Sequence, residues 1–314
     1  MKYLSIEESA QILADGGIVA IPTETVYGLA GNAFNEKAVA RIFAAKERPF
    51  FDPLIVHITD IADLELLAES VPKNALLLAE KFWAGPLTLI LPKKKSVPDL
   101  TTGGLPTVAV RMPKKQIAID IIKLSGVLLA APSANLFQRL SPTTAEHVKE
   151  QLGDRIDGIV DGGTCEIGVE SSVVGFVGDN GTPIIYRQGA ITEEMIESAL
   201  NLKVKKYTEV SDKFPSPGLL SKHYSPNTPL TIGIPQQVPQ NSALLAFGEL
   251  PHNAEQFKKI LNLSPNANAI EAAANLYNML HLLDESEVSQ IFAAKLPELG
   301  LGKAVNDRLK RAEG

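Results

Sequence analysis

The stretch over residues 18–58 constrains the fold most, because it reads as strand, polar turn, helix and strand in succession. Pro22 interrupts the first apolar strand, since proline lacks the N–H group that a sheet ladder needs. A helical periodicity over residues 37–45 stops before Pro49, which cannot continue a helix. A second apolar strand over residues 54–58 closes the unit. This order of elements indicates an α/β protein.

Polar side chains follow the first strand of this unit, and two cations stand at the end of its helix. The turn carries four side chains that can form hydrogen bonds: Thr23, Glu24, Thr25 and Tyr27. The cations are Lys46 and Arg48. Ligands of α/β sheets bind at strand ends, and cations beside a hydroxyl-rich turn suit a polyanion such as a nucleoside triphosphate. The alternative is that both cations only complement the dipole of a helix C-terminus.

Composition limits the classes of protein to which the chain can belong. With 314 residues, 45% of them hydrophobic and 21% charged, it is typical of a globular protein with one large or two ordinary domains. The net charge of −6 argues against a surface that coats nucleic acid, but it allows a small basic pocket. Cys165 is the single cysteine, which excludes an intrachain disulfide and an all-cysteine metal site. Without a signal peptide or an apolar run long enough to cross a membrane, we expect a cytoplasmic protein with no membrane partner.

The rest of the chain mixes helical and strand patterns, which predicts a mixed sheet rather than a strict alternation of βαβ units. Residues 212–229 are rich in proline, serine and glycine, as linkers are. Short strand candidates follow, together with helical patterns over residues 271–284 and 302–311. These patterns predict a second, small α/β domain with short parallel strands.

Three motifs in the first unit resemble those of the YrdC-type L-threonylcarbamoyladenylate synthases. They read PTETVYGL at residues 22–29, KERP at residues 46–49 and PLIVH at residues 53–57. SPGLLSKHYSP at residues 216–226 and LPELGLGKAVNDRLKRA at residues 296–312 are similar to motifs of the two-domain branch of that family.

The resemblance implies a YrdC-like twisted mixed sheet with helices and a smaller Rossmann-like C-terminal domain. Residues 1–203 would form the catalytic domain, residues 204–229 a linker that serves as a lid, and residues 230–314 the C-terminal α/β domain. A linker that reaches the pocket would exclude water from an intermediate that hydrolyses.

The activity that the resemblance implies joins L-threonine, bicarbonate (or carbon dioxide) and ATP into L-threonylcarbamoyladenylate and pyrophosphate. A separate tRNA-modifying transferase complex would then use the product on the adenosine beside the anticodon. Mg²⁺ would be carried with ATP, and no metal site of the protein itself is expected. Catalysis would consist of positioning and charge neutralisation.

The resemblance also implies roles for individual residues. The catalytic pair, which holds the triphosphate, would be Lys46 and Arg48. Contacts to L-threonine would come from Thr25, His57, Arg111, Ala131 and Ser171. Contacts to ATP, besides the catalytic pair, would come from Asp52, Thr107, Ser133, Asn135, Ser141, Arg187 and Tyr224.

Several of these residues have ordinary structural explanations as well. Arg111 lies in an apolar strand, so it needs an anionic partner, which is either an internal carboxylate or the carboxylate of a substrate. Ser141 reads as the N-cap of a helix that begins there. Glu47, between the two cations, should point away from any phosphate. Ser171 and Ser172 are not interpreted as nucleophiles, because no base or GxSxG turn accompanies them.

Two other functions compete with the synthase. One is another carbamoyl-adenylate enzyme of the YrdC fold, but those proteins are longer and carry zinc-finger-like regions that one cysteine cannot supply. The other is an RNA-binding module, which the net charge of −6 and the lack of interleaved aromatic and basic residues disfavour. We therefore expect at most a weak contact with tRNA.

Overall fold

The computed structural model describes residues 1–177, 181–207 and 223–314. Within them, a ten-stranded sheet forms an N-terminal domain and a four-stranded sheet forms a C-terminal domain. The strands of the large sheet are β1 Val19–Ile21, β2 Gly28–Asn32, β3 Ile55–His57, β4 Leu87–Pro92, β5 Thr107–Arg111, β6 Leu129–Ala130, β7 Gly158–Ile159, β8 Ser172–Val177, β9 Thr182–Arg187 and β10 Lys205–Lys206. Their order across the sheet is β10-β9-β8-β4-β5-β3-β6-β2-β1-β7.

The large sheet is mixed, as the sequence predicts. Strand β1 pairs antiparallel with β2 and parallel with β7, while β5 pairs parallel with β3 and antiparallel with β4. Helices accompany the sheet: α1 Ile6–Ala14, α2 Glu36–Lys46, α3 Leu64–Leu67, α4 Lys73–Phe82, α5 Asp99–Thr102, α6 Gln116–Ser125, α7 Ala145–Leu152 and α8 Glu193–Leu200. Short 3₁₀ turns stand at Ile61–Asp63 and Gly153–Arg155.

Both faces of strand β1 are buried, and successive side chains of a strand point to opposite faces. Val19 and Ile21 of β1 belong to an apolar cluster with residues of α1 and α6. Ala20, between them, belongs to the larger cluster that contains residues of α2 and α4. A strand covered on both faces is apolar throughout, which explains the continuous apolar run that the sequence shows at this point.

The helix of the first unit has clear boundaries. The side chain of Asn35 accepts hydrogen bonds from the N–H groups of Lys37 and Ala38 and so caps the start of α2. Glu47 ends the helix in the left-handed conformation, with φ of 55°. The predicted helix over residues 37–45 is therefore confirmed, and the turn that follows it places Lys46 and Arg48 on either side of Glu47.

The C-terminal domain is the small parallel α/β unit that the sequence predicts. Its strands are β11 Leu230–Ile232, β12 Ser242–Ala246, β13 Lys259–Asn262 and β14 Gln290–Ala293, in the order β11-β14-β12-β13. Each adjacent pair is parallel. Helices α9 Ala269–Asp284 and α10 Leu301–Glu313 complete it, with a 3₁₀ turn at Ala254–Gln256.

The two domains share an apolar cluster at their contact. Val26, Leu140 and Val169 of the N-terminal domain belong to the same buried cluster as Leu276 of α9 and Leu309 of α10. At Gly168, which has φ of 74°, an added Cβ would meet the carbonyl oxygen of Ala273 at 2.3 Å. Glycine at this position therefore allows the backbones of the two domains to approach closely.

The structure corrects one detail of the sequence analysis. The helix expected to begin at Ser141 begins at Ala145, and its N-cap is Thr144. In the segment expected to be a linker, residues 204–229, Lys205 and Lys206 form β10. Residues 208–222 lie outside the described part of the chain, so the linker stays a prediction.

Among the described residues, no helix combines the length and the apolar character that crossing a membrane requires.

Candidate active site

A partly enclosed cavity lies where the polar turn after β1 meets the ends of β3, β5, β6 and β9 and the start of β8. Three arginines line it: Arg48, Arg111 and Arg187. So do the hydroxyl groups of Thr23, Thr25, Ser133, Ser171 and Tyr224. A partly enclosed cavity with three cations and several hydroxyls is suited to an anionic ligand.

The threonines of the turn form a chain of hydrogen bonds. Thr23 Oγ1 donates to the carbonyl oxygen of Val26 at 2.6 Å, so the hydroxyl of Thr25 is the donor in the 2.9 Å contact between the two side chains. Thr25 Oγ1 in turn accepts from Arg111 Nη1 at 2.9 Å. Because a hydroxyl oxygen has two acceptor sites, Thr25 retains one for an N–H or O–H group of a ligand.

Arg111 lies at the end of β5, and the sequence left two possible partners for it: an internal carboxylate or the carboxylate of a substrate. The structure contains an internal one. Arg111 Nη2 lies 2.5 Å from Glu24 Oε1, and its Nε donates to the carbonyl oxygen of Gly85 at 3.2 Å. With the bond to Thr25, these contacts use three of the five N–H groups of the guanidinium. Arg111 also lines the cavity, so the two remaining N–H groups are available to a ligand.

Glu24 is charged although it is buried. Burial by itself would raise the pKa of this carboxyl, but the charge and hydrogen bond of Arg111 and the N–H group of Lys114 hold it below its usual value. The pair therefore brings no net charge to the cavity wall.

His57, at the end of β3, is neutral at physiological pH. Burial and the charge of Arg111 lower its pKa from 6.5 to about 3. Its Nδ1 lies 3.2 Å from the carbonyl oxygen of Ile55, and the ring also has a backbone hydrogen-bond partner at Leu129. His57 lines the cavity as a neutral ring.

Lys46 does not line the cavity but holds the loop beside it. Its Nζ donates to the carbonyl oxygens of Ser133 at 2.6 Å and Asn135 at 2.5 Å, which leaves one of its three N–H groups. Burial, together with the charge of Arg48, lowers the pKa of Lys46 well below its usual value. Lys46 is thus a buried donor beside Ser133, which does line the cavity.

Arg48 reaches the cavity itself. Its Nη2 donates to the carbonyl oxygen of Pro53 at 2.9 Å and lies 2.9 Å from Asp52 Oδ2. Glu47, which separates Arg48 from Lys46, turns to the surface and pairs with Arg155 at 2.6 Å. The expectation that Glu47 points away is confirmed.

Ser171 and Arg187 form a fixed pair on neighbouring strands of the sheet. Arg187 donates through Nε to the carbonyl oxygen of Ser171 at 3.0 Å and through Nη2 to its hydroxyl at 3.1 Å. The same hydroxyl lies 2.7 Å from Thr88 Oγ1. The two hydrogen bonds to Ser171 fix the orientation of the Arg187 side chain, so its remaining nitrogen, Nη1, has a defined position.

Glu170 connects the cavity to the C-terminal domain. Its Oε1 accepts from Ser141 Oγ at 2.5 Å, and both of its oxygens lie 3.0 Å from the hydroxyl of Tyr277 on α9. Arg308 on α10 donates through Nε to Oε2 at 2.9 Å. Glu170, Tyr277, Arg308 and His223 were not predicted from the sequence as site residues. A signal for Arg308 existed, since it lies in the C-terminal motif at residues 296–312.

The structure brings nine of the predicted site residues to the cavity wall: Thr25, Arg48, His57, Arg111, Ala131, Ser133, Ser171, Arg187 and Tyr224. Five others are not among the residues that line it: Lys46, Asp52, Thr107, Asn135 and Ser141. Thr107 lies at the opposite end of β5 from Arg111. The side-chain amide of Asn135 donates to the carbonyl oxygens of Leu136 and Arg139. The predicted contacts of these five residues with ATP stay predictions.

The carboxylates at the cavity are paired with arginines. Glu170, which lines the cavity, pairs with Arg308, and Glu24, which does not line it, pairs with Arg111. Among the described residues, the ligand atoms of Glu150, His281 and Glu285 lie within 4.8 Å of one another, but these residues line a different cavity. The expectation that the protein has no metal site of its own stays a prediction.

Comparison with known proteins covers the whole chain. Residues 11–189 match the Sua5/YciO/YrdC family model, whose description reads telomere recombination. Residues 191–314 match the model of the C-terminal domain of threonylcarbamoyl-AMP synthase. Threonylcarbamoyl-AMP synthase of Pyrococcus abyssi is 40% identical over 98% of this chain and 94% of its own. That of Bacillus subtilis is 41% identical over 98% of this chain and 93% of its own.

Solved structures agree with these relatives. The crystal structure of Sua5 from P. abyssi in complex with L-threonine is 38% identical to this chain and superposes with a TM-score of 0.89. The superposition covers 98% of this chain and 94% of that one, so it includes the cavity and both domains. The chain therefore belongs to the Sua5/YciO/YrdC family, in its two-domain branch of threonylcarbamoyl-AMP synthases.

Proposed function

We propose that this protein is a threonylcarbamoyl-AMP synthase that makes L-threonylcarbamoyladenylate and pyrophosphate from L-threonine, bicarbonate (or carbon dioxide) and ATP. The observation that carries the proposal is a cavity with three arginines and two hydroxyl-bearing turns, in a chain similar over nearly its full length to a Sua5 complexed with L-threonine. The match of residues 191–314 to the C-terminal domain of these synthases argues against another carbamoyl-adenylate enzyme.

The amino-acid subsite is formed by Arg111, Thr25 and His57. The two remaining N–H groups of Arg111 bind the carboxylate of L-threonine in a fork, with Glu24 fixing the guanidinium on its other side. Thr25 Oγ1 is an acceptor and receives a hydrogen bond from the ammonium or hydroxyl group of the substrate, and the neutral ring of His57 lines the same part of the cavity. Ala131 and Ser171 complete this part of the cavity wall.

The nucleotide subsite is formed on the other side of the cavity by Arg48, Arg187 and Ser133, with Lys46 behind Ser133. These cations neutralise the triphosphate, and Tyr224 covers it. Mg²⁺ enters on the phosphates of ATP, because the described carboxylates at the cavity are already bound by arginines.

The reaction takes place in two steps that need little covalent participation by the protein. The ammonium group of L-threonine first loses a proton, and the amine adds to carbon dioxide, which bicarbonate gives by losing hydroxide. The N–C bond forms as one C=O π bond opens, and a second proton leaves the nitrogen for solvent to give a carbamate. A carbamate oxygen then attacks the α-phosphorus, the bond from that phosphorus to the bridging oxygen breaks, and pyrophosphate leaves. The protein contributes by orienting the two substrates and by stabilising the charge on the leaving pyrophosphate. We propose that the product passes to a tRNA-modifying transferase complex in the cytoplasm.

An RNA-binding module fits these observations less well. The three arginines lie inside a cavity rather than on an open surface, and two of them contact carboxylates of the protein. Phosphates of a folded RNA are read by exposed cations, so this arrangement favours a small ligand.

The test is release of pyrophosphate from ATP with L-threonine and bicarbonate, each omitted in turn. The expected result is release that requires both, with threonylcarbamoyl-AMP identified by mass spectrometry. Arg48→Met should lower kcat/KM by about 10²-fold or more, as loss of a charge-stabilising donor does elsewhere. The exposed Arg155→Met is the matched control and should retain activity. Release without L-threonine, or no release at all, would contradict the proposal.

A further inference from the structure

Arg308 of the C-terminal domain contacts the cavity wall from outside. Its side chain is 1% exposed, and it is the buried cation paired with Glu170, whose side chain is 7% exposed. Arg308 does not line the cavity, whereas Glu170 does. Arg308 of α10 is therefore the cation that pairs directly with a carboxylate in the wall of an anion-binding cavity.

Glu170 is charged in this environment. Burial alone would raise its pKa, but the charges of Arg308 and Arg187 and the hydrogen bond from Ser141 hold it below its usual value. The single hydroxyl proton of Tyr277 is shared between the two oxygens of Glu170, each of which lies 3.0 Å from the Tyr277 oxygen. Without Arg308, a carboxylate would remain beside the cavity, and Arg187 would be its nearest remaining cation.

Arg308 also contacts Tyr224. Its Cζ lies 5.3 Å from the centroid of the Tyr224 ring, which is the geometry of a cation–π contact. Its Nη2 is buried and has no hydrogen-bond partner among the described residues. This part of the guanidinium therefore contacts the Tyr224 ring and does not donate a hydrogen bond. Tyr224 is held with φ of 63°, and it lines the cavity.

We propose that Arg308 is a positioning residue for the nucleotide, which neutralises Glu170 and holds the Tyr224 ring in the cavity wall so that the triphosphate can bind. The inference rests on the proposed synthase function for the identity of the ligand. It assigns the C-terminal domain a role in substrate binding, although none of the residues that line the cavity belongs to α9 or α10.

The test is the dissociation constant of Mg²⁺–ATP, measured by titration calorimetry without L-threonine. The variants are Arg308→Met, Glu170→Gln, the double variant, and Lys310→Met as a control that removes an exposed cation of the same helix. An unpaired carboxylate facing a polyanion should weaken binding to Arg308→Met by about tenfold or more. The double variant removes that carboxylate and should recover to within about threefold of wild type, as should Lys310→Met.

The pH dependence separates this role from a merely structural one. In Arg308→Met, the pKa of Glu170 should rise, because the charge of Arg308 is lost while Arg187 and the uncharged donors Ser141 and Tyr277 remain. As the pH is lowered from 8 to 6, Glu170 is therefore protonated to a greater extent in the variant than in wild type. The ratio of the variant's dissociation constant to that of wild type should therefore decrease over this range, whereas for Arg308→Met/Glu170→Gln the ratio should stay constant.

Circular dichroism and thermal melting show whether each variant folds. If Arg308→Met does not fold, Arg308→Gln removes the charge while keeping an N–H donor for Glu170, and it should weaken ATP binding in the same direction. Equal ATP binding by wild type and folded Arg308→Met would overturn the inference, as would failure of the double variant to recover. If wild type binds ATP but forms no threonylcarbamoyl-AMP, the proposed function fails while the role of Arg308 in nucleotide binding still holds.

Discussion

The buried pair of Arg111 and Glu24 allows its structural and substrate-binding roles to be separated. Arg111→Met removes the cation and leaves Glu24, which is 2% exposed, with the N–H group of Lys114 as its donor at 3.0 Å. Removing one partner of a buried ion pair costs about 3–5 kcal/mol of unfolding free energy. Because the Lys114 contact persists, we expect a loss near the lower limit, about 3 kcal/mol.

A second substitution tests whether the unpaired charge causes that loss. Glu24→Gln has nearly the same shape and can still accept the Lys114 N–H, but it carries no charge. Arg111→Met/Glu24→Gln should therefore recover about 2 kcal/mol relative to Arg111→Met. Urea unfolding at pH 7.5 measures all of these values. Arg41→Met breaks an exposed pair with Asp157 and should cost less than about 1 kcal/mol.

The substrate role predicts a different pattern in kinetics. If Arg111 binds the carboxylate of L-threonine, the KM for L-threonine should stay raised by about tenfold or more in the double variant, even though its stability has recovered. Recovery of both stability and KM would show that Arg111 is only the partner of Glu24. A loss of less than about 1 kcal/mol in Arg111→Met would refute the electrostatic reasoning itself.

Three further predictions concern residues outside this pair. The pKa of His147 is about 3, because burial and His281 lower it from the 6.5 of an ordinary histidine. The neutral ring contributes stability that is complete above pH 6.5 and is lost as the pH falls towards 3. Between pH 7 and pH 5, the unfolding free energy of wild type in urea should therefore fall by about 2 kcal/mol more than that of His147→Gln, and equal falls would contradict this. Glu47→Ala should change the KM for ATP by less than about twofold, because Glu47 pairs with Arg155 at the surface; a larger effect would place Glu47 near the phosphates. Cys165 is buried, and burial raises its pKa to about 12, so iodoacetamide at pH 8 should leave the native protein unlabelled and label it only after denaturation, as mass spectrometry would reveal.

The local parts of the fold and site could be predicted from the sequence. The strand before Pro22, the helix before Pro49 and the polar groups at their ends lie within one stretch of 41 residues, where periodicity and turn chemistry act on near neighbours. Both possible partners of Arg111, an internal carboxylate and a substrate carboxylate, could be predicted from the sequence, because an arginine in an apolar strand must have an anionic partner.

The remaining parts depend on contacts between distant residues. Glu170 and Arg308 are 138 positions apart, and no local pattern indicates which carboxylate meets which arginine. Ser141 resembles an N-cap locally, but its hydroxyl is bound to Glu170, and Thr144 caps the helix instead. Thr107 shares a strand face with Arg111 by alternation, yet four residues of strand separate the two by about 13 Å.

The apolar cluster that Val26, Leu140 and Val169 share with α9 and α10 has a consequence for experiments on isolated domains. Cutting the chain between its two sheets would expose these side chains beside the polar turn, and it would also remove the partner of Glu170. Residues 1–207 produced alone would therefore be a poor substitute for a naturally single-domain enzyme. In calorimetry, the intact chain should melt as one cooperative unit, with a single transition rather than one for each sheet.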